Sequence, residues 1–265
     1  MGEIMSVIMK FSFLNKFLFL LILVTNVTAI LADDLDSVKI SDTELEKLKQ
    51  FAQVAYSTLP TVCNTYKISI KCLQNNIPGD FVECGVAAGT QIGAMGYACQ
   101  LFKSNKKIHG FDSFEGIPLA GPNDADQPGI GAITHNVHVE NFDKLLISSG
   151  ITVHSLENVK NNIVRWNLDP NAFLFYKGWF QHVLPVAHAQ ISQISFLRLD
   201  GDLYESTVVC LEYLYPKISK GGYIVIDDYA LPGCRKAIDQ YLEKHNLHPQ
   251  IITIAGGNGP VYWIV

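Results

Sequence analysis

Two apolar runs that each end in acidic residues constrain the fold of this chain more than any other feature. FLRL is followed by Asp200 and Asp202, and YIVI is followed by Asp227 and Asp228. The segment between the runs, STVVCLEYLYPKI, has the apolar spacing of a helix. Parallel strands joined by a crossover helix end at the same edge of one sheet. The four carboxylates are therefore expected at a shared edge.

The alternation of strand and helix patterns continues along most of the chain. Strands are expected at 80–86, 106–113, 172–178, 195–202, 221–228, 249–256 and 260–265, and helices at 90–102, 155–166, 183–190, 206–218 and 234–246. The continuous apolar runs of the middle strands indicate burial on both faces. The sequence predicts an α/β, Rossmann-like fold with a seven-stranded, mainly parallel sheet and helices on both faces.

The N-terminus carries a separate signal. A short lysine-bearing start precedes the apolar run from Phe17 to Val24, and small residues follow at Ala29 and Ala32. This layout predicts that residues 1–32 are a signal peptide, so the chain is expected in the secretory pathway or exported. A membrane anchor is the alternative, although a span needs roughly 20 apolar residues.

Two further segments flank the first strands. Residues 33–77 form an N-terminal helical segment, in which Pro60 is expected to separate two helices. A Pro- and Gly-containing stretch at about 114–150 is expected to form a lid. None of the six cysteines has the spacing of a zinc or redox motif, so buried free thiols are favoured over a disulfide framework.

The net charge of the chain limits the classes of partner that are expected. The net charge of -5 provides no basic field for a phosphate backbone, so nucleic acid is not expected. A small-molecule substrate is the expected partner. Membrane contact through the leader and a homo-oligomer are both compatible with the sequence.

The turn after the first strand and the acid after the second indicate a nucleoside ligand. In ECGVAAGT, Gly85 and Gly89 allow close backbone approach, whereas Glu83 would repel a phosphate and suit an ammonium group. The paired glycines of a dinucleotide fingerprint are missing. Asp112 is placed to accept hydrogen bonds from both hydroxyls of a ribose. Together these residues fit S-adenosylmethionine better than NAD.

The acids after the fourth and fifth strands suit a hard divalent cation. Clustered carboxylates repel one another and are costly to bury unpaired. Mg²⁺ takes about six oxygen ligands and leaves some positions to water or substrate. Asp200, Asp227 and Asp228 are the expected metal ligands, and Asp202 is interpreted as the N-cap of the following helix.

Long segments resemble the macrocin O-methyltransferase family. They are ECGVAAGT, IHGFDSFEGIP, FYKGWFQHVLP, LRLDGDLYEST, YPKISKGGYIVIDDYALPGCRKAID and GPVYWIV, in order over residues 78–265. The resemblance implies a class I S-adenosylmethionine-dependent methyltransferase domain and a Mg²⁺-dependent methyl transfer to a sugar hydroxyl. It also implies donor contacts at Glu83, Gly85, Asp112 and Ser113, metal ligands at Asp200, Asp227 and Asp228, and a loop near the adenine at Gly178 and Trp179. The chain departs from the family at Ala87 and Ala88, where a bulkier pair is expected.

The chemistry that follows needs an activated alcohol. A cation that holds two vicinal hydroxyls would lower the pKa of one of them, and Asp200 would then accept the proton. A metal-dependent glycosyltransferase that uses Asp200, Gly201 and Asp202 as a D-x-D motif is one alternative. A catechol-type O-methyltransferase and a non-catalytic carbohydrate-binding protein are two others.

Overall fold

The computed structural model describes residues 35–54, 57–124, 146–256 and 259–265. Residues 40–265 form one compact unit, and the short N-terminal unit includes a 3-10 turn at Leu35–Ser37. The predicted leader and the middle of the predicted lid, residues 125–145, lie outside the described residues. In the part of the chain that is described, no helix is long and apolar enough to cross a membrane.

One sheet forms the centre of the larger unit. Its strands are β1 (Asp80–Cys84), β2 (Ile108–Asp112), β3 (Phe173–Lys177), β4 (Ile194–Leu199), β5 (Ile218–Ile226), β6 (Ile252–Thr253) and β7 (Val261–Ile264). They lie in the order β3-β2-β1-β4-β5-β7-β6. Strands β1 to β5 are parallel, and β7 runs antiparallel to both β5 and β6. The predicted seven-stranded, mainly parallel sheet is confirmed, with its switch in strand order between β1 and β4.

The first two helices begin at residues that cap their N-termini. Helix α1 (Asp42–Ala52) begins at Ser41, whose hydroxyl accepts the N–H of Glu44 in a capping box. Helix α2 (Leu59–Gln74) begins after Thr58 and carries Pro60 in its first turn, where the missing N–H needs no partner. The two predicted helices are present, but Pro60 lies within the second helix and not between them. The later helices are α3 (Thr90–Leu101), α4 (Leu156–Arg165), α5 (Phe180–Ala187), α6 (Tyr204–Leu214) and α7 (Pro232–Lys244).

Helices cover both faces of the sheet. Successive residues of each strand point to opposite faces, so neighbouring residues pack against different helices. Val82 and Leu197 belong to a buried core with residues of α5, α6 and α7. Their neighbours Phe81 and Phe196 point the other way and meet edge to face, with ring centroids 6.0 Å apart. On that side α2 packs on α3 and β4. All six cysteines are free and five of them are buried, as predicted.

Candidate active site at the carboxyl ends of the strands

A cavity of about 280 Å³ lies at the carboxyl ends of β1, β2, β4 and β5. This is the place where open α/β sheets bind their ligands. Seven of the ten predicted site residues line it: Gly85, Asp112, Ser113, Trp179, Asp200, Asp227 and Asp228. The other three, Glu83, Gly89 and Gly178, are not part of its wall. The expected shared edge is therefore present, although not every predicted residue reaches the cavity.

The ends of three strands are aligned by hydrogen bonds that extend the sheet by one residue. The N–H of Gly85 donates to Phe111, that of Asp200 to Cys84, and that of Asp227 to Leu199, at 2.8 to 2.9 Å. Gly85 has φ +92°, and a Cβ there would lie 1.7 Å from the carbonyl oxygen of Asp200. Only glycine therefore allows this approach of β1 to β4.

Asp112 is held by backbone groups of the glycine-containing turn. Its Oδ2 accepts the N–H groups of Val86 (2.7 Å) and Ala87 (2.9 Å), and its Oδ1 accepts that of Phe114 (2.6 Å). Burial raises the pKa of Asp112, and these three N–H groups act in the opposite direction. The hydroxyl of Ser113 also lies 3.5 Å from Oδ1, so both oxygens of Asp112 have donors within the chain while the side chain lines the cavity.

The other two turn glycines shape the cavity without lining it. Gly89 adopts φ +90° and is the N-cap of α3. Gly178 adopts φ +143° and its N–H donates to the carbonyl of Asp112 at 2.9 Å. It thereby positions Trp179, the N-cap of α5, against the cavity.

A buried arginine links three carboxylates behind the cavity. Arg198 and Glu83 are adjacent across β4 and β1, and each is 1% exposed. Arg198 Nη1 donates to Glu83 (3.1 Å) and to Asp200 Oδ2 (2.6 Å), and Nη2 donates to Asp227 Oδ1. Glu83 therefore pairs with Arg198 in this structure, where the sequence predicts a contact with the donor's ammonium group.

The carboxylates that lie closest together are not quite the predicted set. Asp200, Asp202 and Asp228 each present an oxygen within 4.8 Å of the others. Asp202 is not the N-cap of α6, as the sequence suggested; that position is Leu203, which makes no side-chain cap. Asp202 instead has φ +58°, and its N–H donates to Asp228 Oδ2 at 2.9 Å. The left-handed backbone turns its carboxyl into the cluster.

Burial and mutual repulsion raise the pKa values of these acids. The pKa of Asp202 rises to about 8 through burial and the charges of Asp200 and Asp227. That of Asp227 rises to about 6 through burial, although Arg198 lowers it. Asp228 and Glu83 are raised well above their ordinary range, in both cases mainly by burial. One guanidinium is thus too little positive charge for so many acids, and three converging carboxylate oxygens fit a hard divalent cation.

Sequence reasoning missed two residues of this centre. Arg198 carried a signal, because a charged residue inside an apolar strand needs a buried partner. Asp202 carried a weaker signal, because an acid ahead of a helix is usually a cap. The remaining wall residues include Ser57, Ile117, Pro118, Phe180, Gln181 and Ser206.

Comparisons with known proteins agree with this geometry. The chain is 36% identical over 198 residues to the demethyldecarbamoylnovobiocin O-methyltransferase of Streptomyces niveus, covering 71% of this chain and 67% of the relative. It is 32% identical to the mycinamicin III 3''-O-methyltransferase of Micromonospora griseorubida, covering 72% and 70%. The solved structure of the O-methyltransferase NovP superimposes with a TM-score of 0.65 and 32% identity, covering 78% of this chain and 79% of that chain. The calicheamicin methyltransferase CalS11, at 19% identity and a TM-score of 0.57, shares the fold.

The fold and the site, taken with these matches, define an S-adenosylmethionine-dependent O-methyltransferase of class I fold. The family model of macrocin O-methyltransferase (TylF) matches residues 61–264. The chain therefore belongs to the macrocin O-methyltransferase family, as its sequence motifs predict.

Proposed function

We propose that the protein methylates one hydroxyl of a vicinal diol on a sugar or glycoside, with S-adenosylmethionine as donor and with Mg²⁺. The observation that carries this proposal is one cavity that joins Gly85 and Asp112 to the carboxylates that follow β4 and β5. Relatives named for methylating mycinamicin III and a rhamnosyl-bearing tetracenomycin support a glycoside acceptor.

The donor half of the site consists of the loops after β1, β2 and β3. The Gly85 turn allows the donor to approach the sheet, Asp112 is placed to accept from the ribose hydroxyls, and Ser113 and Trp179 line the same wall. Glu83 acts from behind the wall as the partner of Arg198. The sulfonium is positive, so the surplus of carboxylates in the cavity favours donor binding.

The metal half consists of the loops after β4 and β5. Asp200, Asp227 and Asp228 are the proposed ligands. Asp202 is an alternative to Asp227 as the third ligand, because its carboxylate converges with those of Asp200 and Asp228. When bound, a divalent cation supplies Lewis acidity that lowers the pKa of a hydroxyl group. The chain's own part is to hold the acceptor in line with the methyl group and to exclude water.

A carboxylate must take the proton of the acceptor hydroxyl. Asp200 is the candidate from the sequence, and its Oδ2 is occupied by Arg198. Asp202 is the second candidate, because it lines the cavity and its carboxylate lies beside those of Asp200 and Asp228.

Asparagine variants separate these roles. Binding of S-adenosylmethionine and of Mg²⁺ is measured by calorimetry, and turnover is measured on a panel of methyl glycosides and catechol. Asp200→Asn and Asp228→Asn should abolish turnover, weaken Mg²⁺ binding and leave donor affinity within a few-fold. Asp202→Asn tests the second candidate: lost turnover with unchanged Mg²⁺ affinity would assign the proton to Asp202, and retained turnover would leave it with Asp200.

The outcomes also separate the competing functions. An equal loss of donor affinity in these variants would contradict the division into two halves. A wild-type protein that methylates catechol but no glycoside would make it a catechol-type enzyme. A wild-type protein that binds a sugar nucleotide and not S-adenosylmethionine would favour the D-x-D glycosyltransferase.

The destination of the chain is a separate proposal. We infer from the layout of residues 1–32 that they direct the chain into the secretory pathway, with a retained membrane anchor as the alternative. Mass spectrometry of the mature N-terminus after expression in a eukaryotic cell distinguishes cleavage from retention. An intact N-terminus on a protein that is recovered without membranes would contradict both.

A further inference from the structure

Helix α6 starts beside the carboxylate cluster without a cap of its own. Its N-cap residue is Leu203, whose side chain cannot accept a hydrogen bond. The two residues before Leu203 are Gly201 and Asp202, which belong to the cavity wall, and Ser206 lies in the first turn of the helix. Whatever fixes the start of α6 therefore fixes two side chains of the active site.

The missing cap comes from another segment. Asp124 Oδ1 accepts the N–H of Tyr204, the first residue of α6, at 2.9 Å. Asp124 is 1% exposed, and its Oδ2 is buried without a hydrogen-bond partner among the described residues. An unpaired buried carboxylate is unfavourable unless something offsets it, and the positive end of a helix does so.

The segment that carries Asp124 also borders the cavity. Residues 116–124, called here the cavity loop, place Gly116, Ile117 and Pro118 in the cavity wall. At the other end of the loop, Asn123 Oδ1 accepts from Lys236 Nζ at 2.7 Å, which ties the loop to α7. Asp124 is thus the point at which the cavity loop meets the turn with Asp202.

That turn is held from two sides. The N–H of Asp202 donates to Asp228, which follows β5, and the N–H of Tyr204 donates to Asp124, which lies on the cavity loop. Asp202 has φ +58°, a conformation that a non-glycine residue keeps only where its surroundings hold it. Removal of one of the two carboxylates should therefore release the turn.

We propose that Asp124 is a positioning residue: its carboxylate caps α6 from the cavity loop and so fixes Asp202 and Ser206 against the acceptor side of the cavity. The consequence for catalysis rests on the proposed O-methylation, whereas the structural part does not. Asp124 contacts neither donor nor acceptor in this proposal, so its effect should be on the rate of methyl transfer and not on donor affinity.

The test compares Asp124→Ala with Asp124→Asn, whose amide oxygen can still accept the N–H of Tyr204. Hydrogen exchange measured by mass spectrometry without acceptor should be faster in residues 202–206 of Asp124→Ala by about five- to thirtyfold, and near wild type in Asp124→Asn. The kcat for the glycoside and catechol probes should fall about tenfold to a hundredfold in Asp124→Ala, with the KM for S-adenosylmethionine within about twofold. Asp169→Ala, which removes the capping carboxylate of the 3-10 turn at Pro170–Ala172 ahead of β3, is the matched control and should resemble wild type.

Unchanged exchange in Asp124→Ala would overturn the proposal, as would an Asp124→Asn variant that is as impaired as Asp124→Ala. A donor KM that rises as much as kcat falls would also overturn it. If Asp124→Ala does not fold, Asp124→Ser, whose oxygen is one bond shorter, replaces it against Asp124→Asn. If the wild type methylates none of the probes, the proposed acceptor class fails, and the exchange comparison still decides the role of Asp124.

Discussion

Arg198 shows at the scale of one residue how a single buried positive charge holds several acids of the site together. Its guanidinium is buried and contacts three carboxylates: Glu83 within β1, Asp200 after β4 and Asp227 after β5. Removal of one partner from such a buried group leaves an uncompensated charge, which usually costs more than the pair contributes. Arg198 should therefore matter most for the stability of the metal-free protein.

Arg198→Met should lower the free energy of unfolding in EDTA by about 3–5 kcal/mol, because Glu83 would lose its only positive neighbour among the described contacts. Adding Glu83→Gln should recover part of that loss, since an amide needs no countercharge. Urea denaturation of the single and double variants measures both effects. Arg165→Met on the exposed side of α4 is the control, and equal stability of Arg198→Met and this control would contradict the role.

Gly85 and Gly221 allow backbone strain to be separated from steric clash. Both have positive φ, but a Cβ at Gly221 meets nothing within 4 Å, whereas one at Gly85 meets the backbone oxygen of Asp200. Gly221→Ala should cost about 1–2 kcal/mol from its backbone conformation alone. Gly85→Ala should cost at least about 2 kcal/mol more, because neither strand end can move away cheaply. Thermal unfolding of the two variants tests this, and similar losses would mean that β1 and β4 separate easily.

At the scale of elements, α3 packs against its neighbours at two glycines where a side chain would not fit. A Cβ at Gly96 would lie 2.4 Å from the ring of Phe173 in β3, and one at Gly93 would lie 2.9 Å from Trp166. Glycine weakens a helix by about 1 kcal/mol relative to alanine. The close packing against two buried aromatic rings offsets that weakness.

Gly96→Ala should therefore destabilise the protein in spite of its better helix propensity. Overpacking costs about 1–3 kcal/mol, which exceeds the gain from propensity. The double variant Gly96→Ala/Phe173→Leu provides space for the new methyl group and should be more stable than Gly96→Ala alone. The denaturation midpoints of wild type, Gly96→Ala and the double variant test this prediction. A Gly96→Ala variant more stable than wild type would contradict the close packing of Gly96 on Phe173.

The elements were predictable from the sequence, and the contacts between them were only partly so. Apolar runs and helical spacing located all seven strands, because burial on two faces leaves a continuous pattern. The pairing of Arg198 with Glu83 needed the register between β1 and β4, which periodicity does not give. Asp202 adopts a left-handed backbone conformation, which the sequence did not predict because an acid in front of a helix is usually its N-cap. Asp124 was hidden because its partner on α6 is far away in sequence.

At the scale of the whole molecule, the buried acids should make stability depend on pH. Burial raises the pKa of Asp202 to about 8, and that of Asp227 and of Asp124 to about 6. The folded protein thus binds protons more tightly than the unfolded chain, where Asp titrates near 3.9. Stability is greatest where these groups stay protonated and falls as pH rises through the folded pKa values.

In EDTA, the urea midpoint should accordingly decrease between pH 5 and pH 8, and Mg²⁺ should reduce the decrease by binding the ionised carboxylates. Asp202→Asn removes one titrating group and should flatten the curve measured in EDTA. A midpoint in EDTA that rises over this range would contradict the linkage, because it would mean that the folded protein releases protons relative to the unfolded chain.

The reversal of strand order between β1 and β4 divides the active site between two halves of the chain. The loops after β1 and β2 carry Gly85 and Asp112, the loops after β4 and β5 carry the acid cluster, and the cavity loop continues the β2 loop along the cavity wall. In the proposed reaction, substitutions at Ile117 and Pro118 of the cavity loop would change the cavity wall while the Gly85 turn and the acid cluster keep their own supports. A scaffold divided in this way is suited to diversification: the part of the wall that the cavity loop supplies can change, and the glycine turn and acids at the strand ends are inherited unchanged.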